Sequence, residues 1–312
     1  MLYSISNKTL GYQVMNLTFK IFNFSFIVIT LITVISCAHR SYEEPYDKGV
    51  VYASQGSFDI AKKEFNKSLE IYRFFSPSIR SIEIIDDMNK GKITKETATL
   101  IFLGISNSNK KLYDHVINDY SRIIEKTPKY ARVYDLRGST YFKIGKYSLA
   151  IKDYNTAIAI DSKFTEAYIN RGIAYLGKSQ YELAIQDYQK AIELDPSFDL
   201  AYVNLGFIYE VQKLYEQAIK NYTSALDINS KNAEAYYNRG NVRHNLGRYD
   251  LAIEDYNKAI EIKPGAAVFY SRRGYVHLVE LGHEIKGCLD LQKACKLGEC
   301  ENYDAAVQRD DC

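Results

Sequence analysis

The side chains able to do chemistry in this 312-residue chain are few and unevenly placed. Four of its five cysteines, Cys288, Cys295, Cys300 and Cys312, crowd together at the C-terminus, and the fifth, Cys37, stands alone behind an apolar run. Clustered thiols either pair as disulfides in an exported, oxidising setting or hold zinc. No CxxC pair is present, which favours disulfides over a structural or metal-binding module. His39, His115, His244, His277 and His283 form no HExxH or other ligand spacing, and no glycine-rich phosphate loop follows a strand pattern. Carboxylates are abundant, but they recur at a fixed step as helix surface does. No catalytic residue, metal site, cofactor or small-molecule substrate is expected, and the chain does not read as an enzyme.

The elements behind this pattern come from the composition and the step. With 46% hydrophobic and 25% charged residues the chain can bury a core. Lys+Arg 40 against Asp+Glu 38 leaves a formal +2, and Lys8 and Lys20 both precede Cys37, so the part beyond it has no net charge, which argues against a nucleic-acid footprint. Twenty-eight Tyr with no Trp and 5 Pro suggest a long helical array with a recurring aromatic. Segments starting at Ala131, Thr165, Asp199 and Ala233 align without a gap at a step of 34. Counting each start as position 1, position 8 is Gly138, Gly172, Gly206 and Gly240, and position 20 is Ala150, Ala184, Ala218 and Ala252. Position 24 is Tyr154, Tyr188, Tyr222 and Tyr256, and position 27 is Ala157, Ala191, Ala225 and Ala259. Positions 4, 8 and 11 share one helix face and positions 20, 24 and 27 share another, so each repeat reads as two helices joined by a turn. Small residues at the crossing allow close approach, and tyrosines fill the space between neighbouring pairs.

This pattern resembles the tetratricopeptide repeat family, and Pro196 and Pro264 stand at its closing-proline position. The resemblance implies an all-α fold, a right-handed superhelix of about seven repeats with a short C-terminal capping helix. The expected repeats are residues 42–75, 97–130, 131–164, 165–198, 199–232, 233–266 and 267–301, with a cap over 302–312. Residues 76–96 fit no register and read as an inserted helix or a hinge. Repeat 97–130 carries Val116 and Ile123 where Ala is usual, which predicts a wider helix pair. One extra residue near Gly282 shifts the register of the last repeat.

The repeats also act as an alignment internal to the chain. Position 7 set against position 23 couples Arg137 with Asp153, Arg171 with Asp187, Arg239 with Asp255 and, after the shift, Arg273 with Asp290. The first repeat offers Lys48 with Glu64. Where position 7 becomes Leu205, position 23 becomes Asn221, while Leu103 with Asp119 breaks the rule. The covariation predicts an ion pair between the two helices of each repeat.

The resemblance places a partner-binding groove on the first helices, at Ile169, Asn170, Ile173, Val203, Asn204, Phe207, Tyr237, Asn238, Asn241 and Arg272. Asn170, Asn204 and Asn238 share position 6, and such an amide ladder suits the backbone of an extended peptide, though it equally suits helix packing. The partners implied are other proteins or peptides.

Upstream of Cys37 the run Ile21–Ser36 is too short to span a bilayer but suits a secretory signal, with Met15 a possible start. Val34, Ile35, Ser36 and Cys37 resemble the bacterial lipobox. That resemblance implies cleavage after residue 36, lipid on Cys37, and a short tether, residues 37–41, at the outer membrane facing the periplasm. The expected function is a lipid-anchored scaffold of the cell envelope; the alternative is an assembly factor or chaperone for a surface machine such as a pilus or secretion complex. At the other end Gly298 closes the last long helix, and Glu301–Gln308 can run back antiparallel to it. That geometry favours Cys295 with Cys300 and Cys288 with Cys312.

Overall fold

The computed structural model describes residues 43–71 and 76–312; Cys37, the apolar run before it and the tether after it lie outside the described residues. Every regular element among the described residues is helical. The chain divides into two compact units that part between Val133 and Tyr134. Among the described residues no helix is long and apolar enough to cross a membrane.

The first unit contains α1 (Glu43–Ser54), α2 (Phe58–Ile71), α3 (Ser76–Asn89), α4 (Lys95–Asn109), α5 (Tyr113–Lys126) and the start of α6 (Ala131–Lys143). Helix α1 packs on α2 as a pair and also directly on α4, so the first helices of the two repeats are neighbours in spite of the residues between them. The unregistered stretch supplies α3, which leaves the stack, lies against α2 and is tied to it by the Lys62–Asp86 ion pair. Thr94 then restarts the repeat by capping α4, its hydroxyl accepting from the backbone N–H of Thr97 at 3.1 Å. At its crossing the 97–130 pair is as close as the others. A Cβ on Gly104 would lie 2.5 Å from the Tyr120 ring, and Val116 and Ile123 are accommodated as fully buried core. Lys48 and Glu64 do not pair: Lys48 reaches Glu44, one turn away at 2.7 Å, and Glu64 takes Lys67 at 2.6 Å. A lysine's point charge finds a local partner on its own helix surface, where an arginine fork would be held by two bonds.

The second unit runs through α7 (Tyr147–Ile160), α8 (Thr165–Gly177), α9 (Tyr181–Leu194), α10 (Asp199–Val211), α11 (Tyr215–Ile228), α12 (Ala233–Asn245), α13 (Tyr249–Ile262), α14 (Ala267–Tyr275), α15 (Glu284–Lys296) and α16 (Glu301–Gln308). Within each pair the crossing is set by one glycine. A Cβ on Gly138, Gly172, Gly206 or Gly240 would come within 2.8, 2.6, 2.7 and 2.8 Å of the position-24 tyrosine ring, and those rings are fully buried. The turn after each first helix needs a left-handed residue at position 15. Gly145 and Gly247 provide it freely (φ 75° and 71°), whereas Ser179 and Lys213 adopt it at φ 57° and 60° against the steric preference of an L residue.

The extra residue of the last repeat is absorbed before Gly282, in a π-helical turn over Val276–Glu280 that extends α14. Gly282 (φ 66°) then makes the position-15 turn. Beyond α15, Gly298 (φ 103°) reverses the chain into α16, which packs on α15 through Ala306, Leu291 and Leu278. Two disulfides, Cys288–Cys312 and Cys295–Cys300, close this end. With all four thiols oxidised, none is left as a metal ligand.

Candidate functional site

The position-7 arginines of the second unit are bidentate forks on the position-23 carboxylates. Arg137 donates from Nε and Nη2 to Asp153 at 2.8 and 2.8 Å, and Arg171 to Asp187 at 2.8 and 2.5 Å. Arg239 donates to Asp255 at 3.1 and 2.7 Å, and Arg273 to Asp290 at 2.8 and 2.7 Å. Asp255 takes a second guanidinium, Arg243, at 2.8 Å. Burial pushes the Asp187 carboxyl up, and the Arg171 bonds and charge offset this only in part.

Three of the four forks have a third arm that sequence reasoning missed. Arg171 Nη1 donates to Asn155 (2.6 Å), Arg239 Nη1 to Thr223 (3.0 Å) and Arg273 Nη1 to Asn257 (2.5 Å), always position 25 of the preceding repeat. The acceptor at position 25 is the signal that could have revealed it. The guanidinium also lies over the position-4 ring, 5.9, 5.5, 5.5 and 5.7 Å from Tyr134, Tyr168, Tyr236 and Tyr270. These forks are structural: they join helices and neighbouring repeats.

On the other face of the first helices, positions 5 and 6 of adjacent repeats touch. Asn170 donates to Asp135, position 5 of the repeat before, at 2.7 Å. Arg272, at position 6 of the last repeat, hydrogen-bonds Tyr237 in the same way; burial works against its charge, and the Tyr237 and Tyr256 hydroxyls and Glu299 outweigh it. The three asparagines therefore do not form an open ladder. Asn170 is consumed by Asp135, Asn204 is 3% exposed, and Asn238 is half-buried. Ile169 and Val203 are likewise buried. Ile173, Phe207, Tyr237, Asn241 and Arg272 remain partly open, so the accessible surface is narrower and more aromatic than the spacing predicts. Tyr237 packs on Phe269 and Tyr256, with centroids 5.1 and 6.0 Å away.

The position-24 hydroxyls reach the same face. Tyr154 donates to Ser139 (3.3 Å) and Tyr256 to Asn241 (2.8 Å), each at position 9 of its own repeat. Tyr222 donates instead to Glu210, one turn further on, at 2.9 Å. Burial pushes the Glu210 carboxyl up to about 7, with the Tyr222 bond and the Arg272 charge pulling the other way. Glu299 is raised by burial too, while Ser271, which also accepts from Asn302 at 2.8 Å, and Arg272 hold it down. None of these groups is arranged as a nucleophile with a base. The face offers apolar, aromatic and hydrogen-bonding side chains in a row along successive helices, which is a surface for holding another chain.

A stack of helix pairs with such a face defines a class of repeat protein, and the family follows from sequence comparison. Family profiles described as tetratricopeptide repeat match residues 165–198 and 233–265, 187–220, and 46–74, and one described as TPR repeat matches 138–179 and 212–247. Together they cover just over half of the chain, which belongs to the tetratricopeptide repeat family. No curated protein sequence matches it significantly. Among solved structures, a tetratricopeptide repeat protein from Parabacteroides merdae is similar at 19% identity, with a TM-score of 0.54 over 86% of this chain and 98% of that one. The Cut9–Hcn1 hetero-tetramer of the APC/C gives a chain 16% identical, TM-score 0.61, covering 82% of this chain and 54% of that one. MamA is 27% identical over 52% of this chain and 94% of its own, with a TM-score of 0.47. The first two likenesses show the shared fold.

Proposed function

We propose that this protein is a lipid-anchored scaffold of the bacterial cell envelope that holds an extended segment or helix of a partner protein on the first-helix face of its second unit. The observation that carries the groove reading is the side-by-side contact of positions 5 and 6 from one repeat to the next, seen in Asn170–Asp135 and Arg272–Tyr237. It sets Ile173, Phe207, Tyr237 and Asn238 in one continuous row, and a row of this kind suits a ligand that is itself a chain. The lipobox-like Val34–Cys37 supports the anchor. Two acyl chains, at ~0.8 kcal/mol per buried CH₂, hold a protein where one does not. The two disulfides support an oxidising compartment.

Two experiments test the two halves separately. Affinity capture from solubilised membranes with the full chain is compared with Asn204→Ala/Asn238→Ala. A partner lost from the variant supports the groove, and equal recovery removes its support. Cys37→Ala is expected to abolish fatty-acid labelling and to accumulate uncleaved precursor. Labelling that persists, or a mature chain starting elsewhere, rules out Cys37 as the anchor.

A further inference from the structure

His277 and His283 are six residues apart, and on a regular helix their side chains would point about 120° away from each other. The extra residue of the last repeat removes that separation. The π-helical turn over Val276–Glu280 unwinds the end of α14, and Gly282, at φ 66°, turns the chain back before α15 begins at Glu284. The backbone N–H of His283 fixes the reversal by donating to the His277 carbonyl at 2.7 Å. The two imidazoles then lie side by side, with ring centroids 5.5 Å apart and the two Nδ1 atoms 3.4 Å apart.

A hydrogen bond of good geometry from one ring nitrogen to the other would draw them to about 3 Å. A zinc ion at ~2.0–2.1 Å from each nitrogen requires roughly 3.3 to 3.4 Å between them at the tetrahedral angle. The right angle of a square-planar copper(II) site would require only about 2.8 to 3.0 Å. The pair therefore has the bite of a tetrahedral zinc site. It is also within reach of solvent: His277 is 9% exposed and held by the core behind it, while His283 stands at the surface. Of the charges that act on His277, Asp290 favours a cation but already accepts from the Arg273 fork, and Lys286 opposes one. Among the described residues no group of three His, Cys, Asp or Glu side chains makes a protein cage. Water completes the coordination, which makes this an open, exchangeable site and not a closed structural one.

We propose that His277 and His283 form a two-histidine zinc site, each imidazole ligating through Nδ1, that clasps the π-helical end of α14 to the start of α15. In the bound form both rings carry their proton on Nε2, where it is free to donate to water. The spacing of six conceals the pair in the sequence, because only the π-helical turn and the Gly282 reversal bring the rings together.

The test uses the full chain with its disulfides intact, stripped of metal by dialysis against EDTA and titrated with zinc chloride by calorimetry. One zinc per chain is expected, with a rise in melting temperature and slower hydrogen exchange over Val276–Glu284. His283→Gln alters only a surface side chain and is expected to weaken binding at least about tenfold, no less than loss of an outer partner does, and His277→Gln likewise. His115→Gln, at an exposed histidine of the first unit, is expected to leave binding unchanged. A zinc-soaked crystal is expected to show the ion on both Nδ1 atoms. Undiminished binding in His283→Gln, exchange over Val276–Glu284 that ignores zinc, or no binding at millimolar zinc would each overturn the site.

Discussion

Replacing Asp187 by Ala removes the acceptor of two Arg171 bonds, 2.8 and 2.5 Å long, from a site where the carboxylate side chain is 6% and the arginine 19% exposed. The guanidinium keeps Asn155 at 2.6 Å and the Tyr168 ring at 5.5 Å, but it cannot leave the pair and is only partly rehydrated. Breaking a buried pair from one side costs about 3 kcal/mol or more. For a chain of this size that lowers the thermal midpoint by roughly 4 to 6 °C. The chain itself contains the control, since Leu205 and Asn221 occupy the same two positions one repeat later with Leu205 buried. Arg171→Leu/Asp187→Asn is therefore expected to cost only about 1 kcal/mol, less than the single Asp187→Ala, because an apolar pair leaves no stranded charge. Urea denaturation of the four-member cycle built from Arg171→Leu and Asp187→Asn, together with hydrogen exchange on α8 and α9, measures the coupling, expected near 2 kcal/mol. Simple additivity of the two single effects, or a double variant as unstable as Asp187→Ala, would refute the reasoning.

Glu210 makes stability depend on pH. Its folded value of about 7 lies above the 4.5 of an ordinary glutamate, so its contribution is fully present below pH 4.5 and is lost as pH rises through 7. Glu210→Gln is expected to flatten that decline and to stabilise the protein at pH 8 by about 3 kcal/mol, read as urea midpoints from pH 5 to 8. Gly172→Ala drives a methyl to 2.6 Å from the Tyr188 ring and is expected to cost about 1 to 3 kcal/mol despite alanine's better helix propensity. Ser179→Gly, at φ 57°, relieves a left-handed residue and is expected to gain up to about 1 kcal/mol in thermal denaturation. Cys288→Ser/Cys312→Ser opens the 24-residue separation between the two cysteines and is expected to lower stability by about 3 kcal/mol, with exchange rising first in α16.

What could be read from the sequence depended on whether both partners of a contact lie at fixed positions. Helix pairing was legible because glycine at 8 and tyrosine at 24 repeat together. Positions 7 and 23 could be matched because Leu205 and Asn221 change in concert. The fate of the position-6 asparagines was not legible in the same way, since it is decided by position 5 of the preceding repeat, which is Asp135 for one and Ile169 for the next. The wider spacing expected at residues 97–130 is not seen at the Gly104 crossing, because Val116 and Ile123 pack into the core without entering it. Lys48 and Glu64 failed because lysine answers to its nearest acid. The register shift was visible near Gly282, but only the structure places the surplus residue in the π-helical turn before it.

The third arm shared by three of the arginine forks bears on how the array comes apart. An array whose units are bound only to their neighbours behaves as a one-dimensional chain of coupled switches, and its cooperativity is set at each junction. Arg239 and Arg273 clasp Thr223 and Asn257 of the repeat before, and Arg171 clasps Asn155. At the junction of α9 with α10 the clasp is missing, because Leu205 stands where the arginine would be. Pulled from its two ends, the second unit has its seam there, and the fragments on either side would be the first to move as separate blocks.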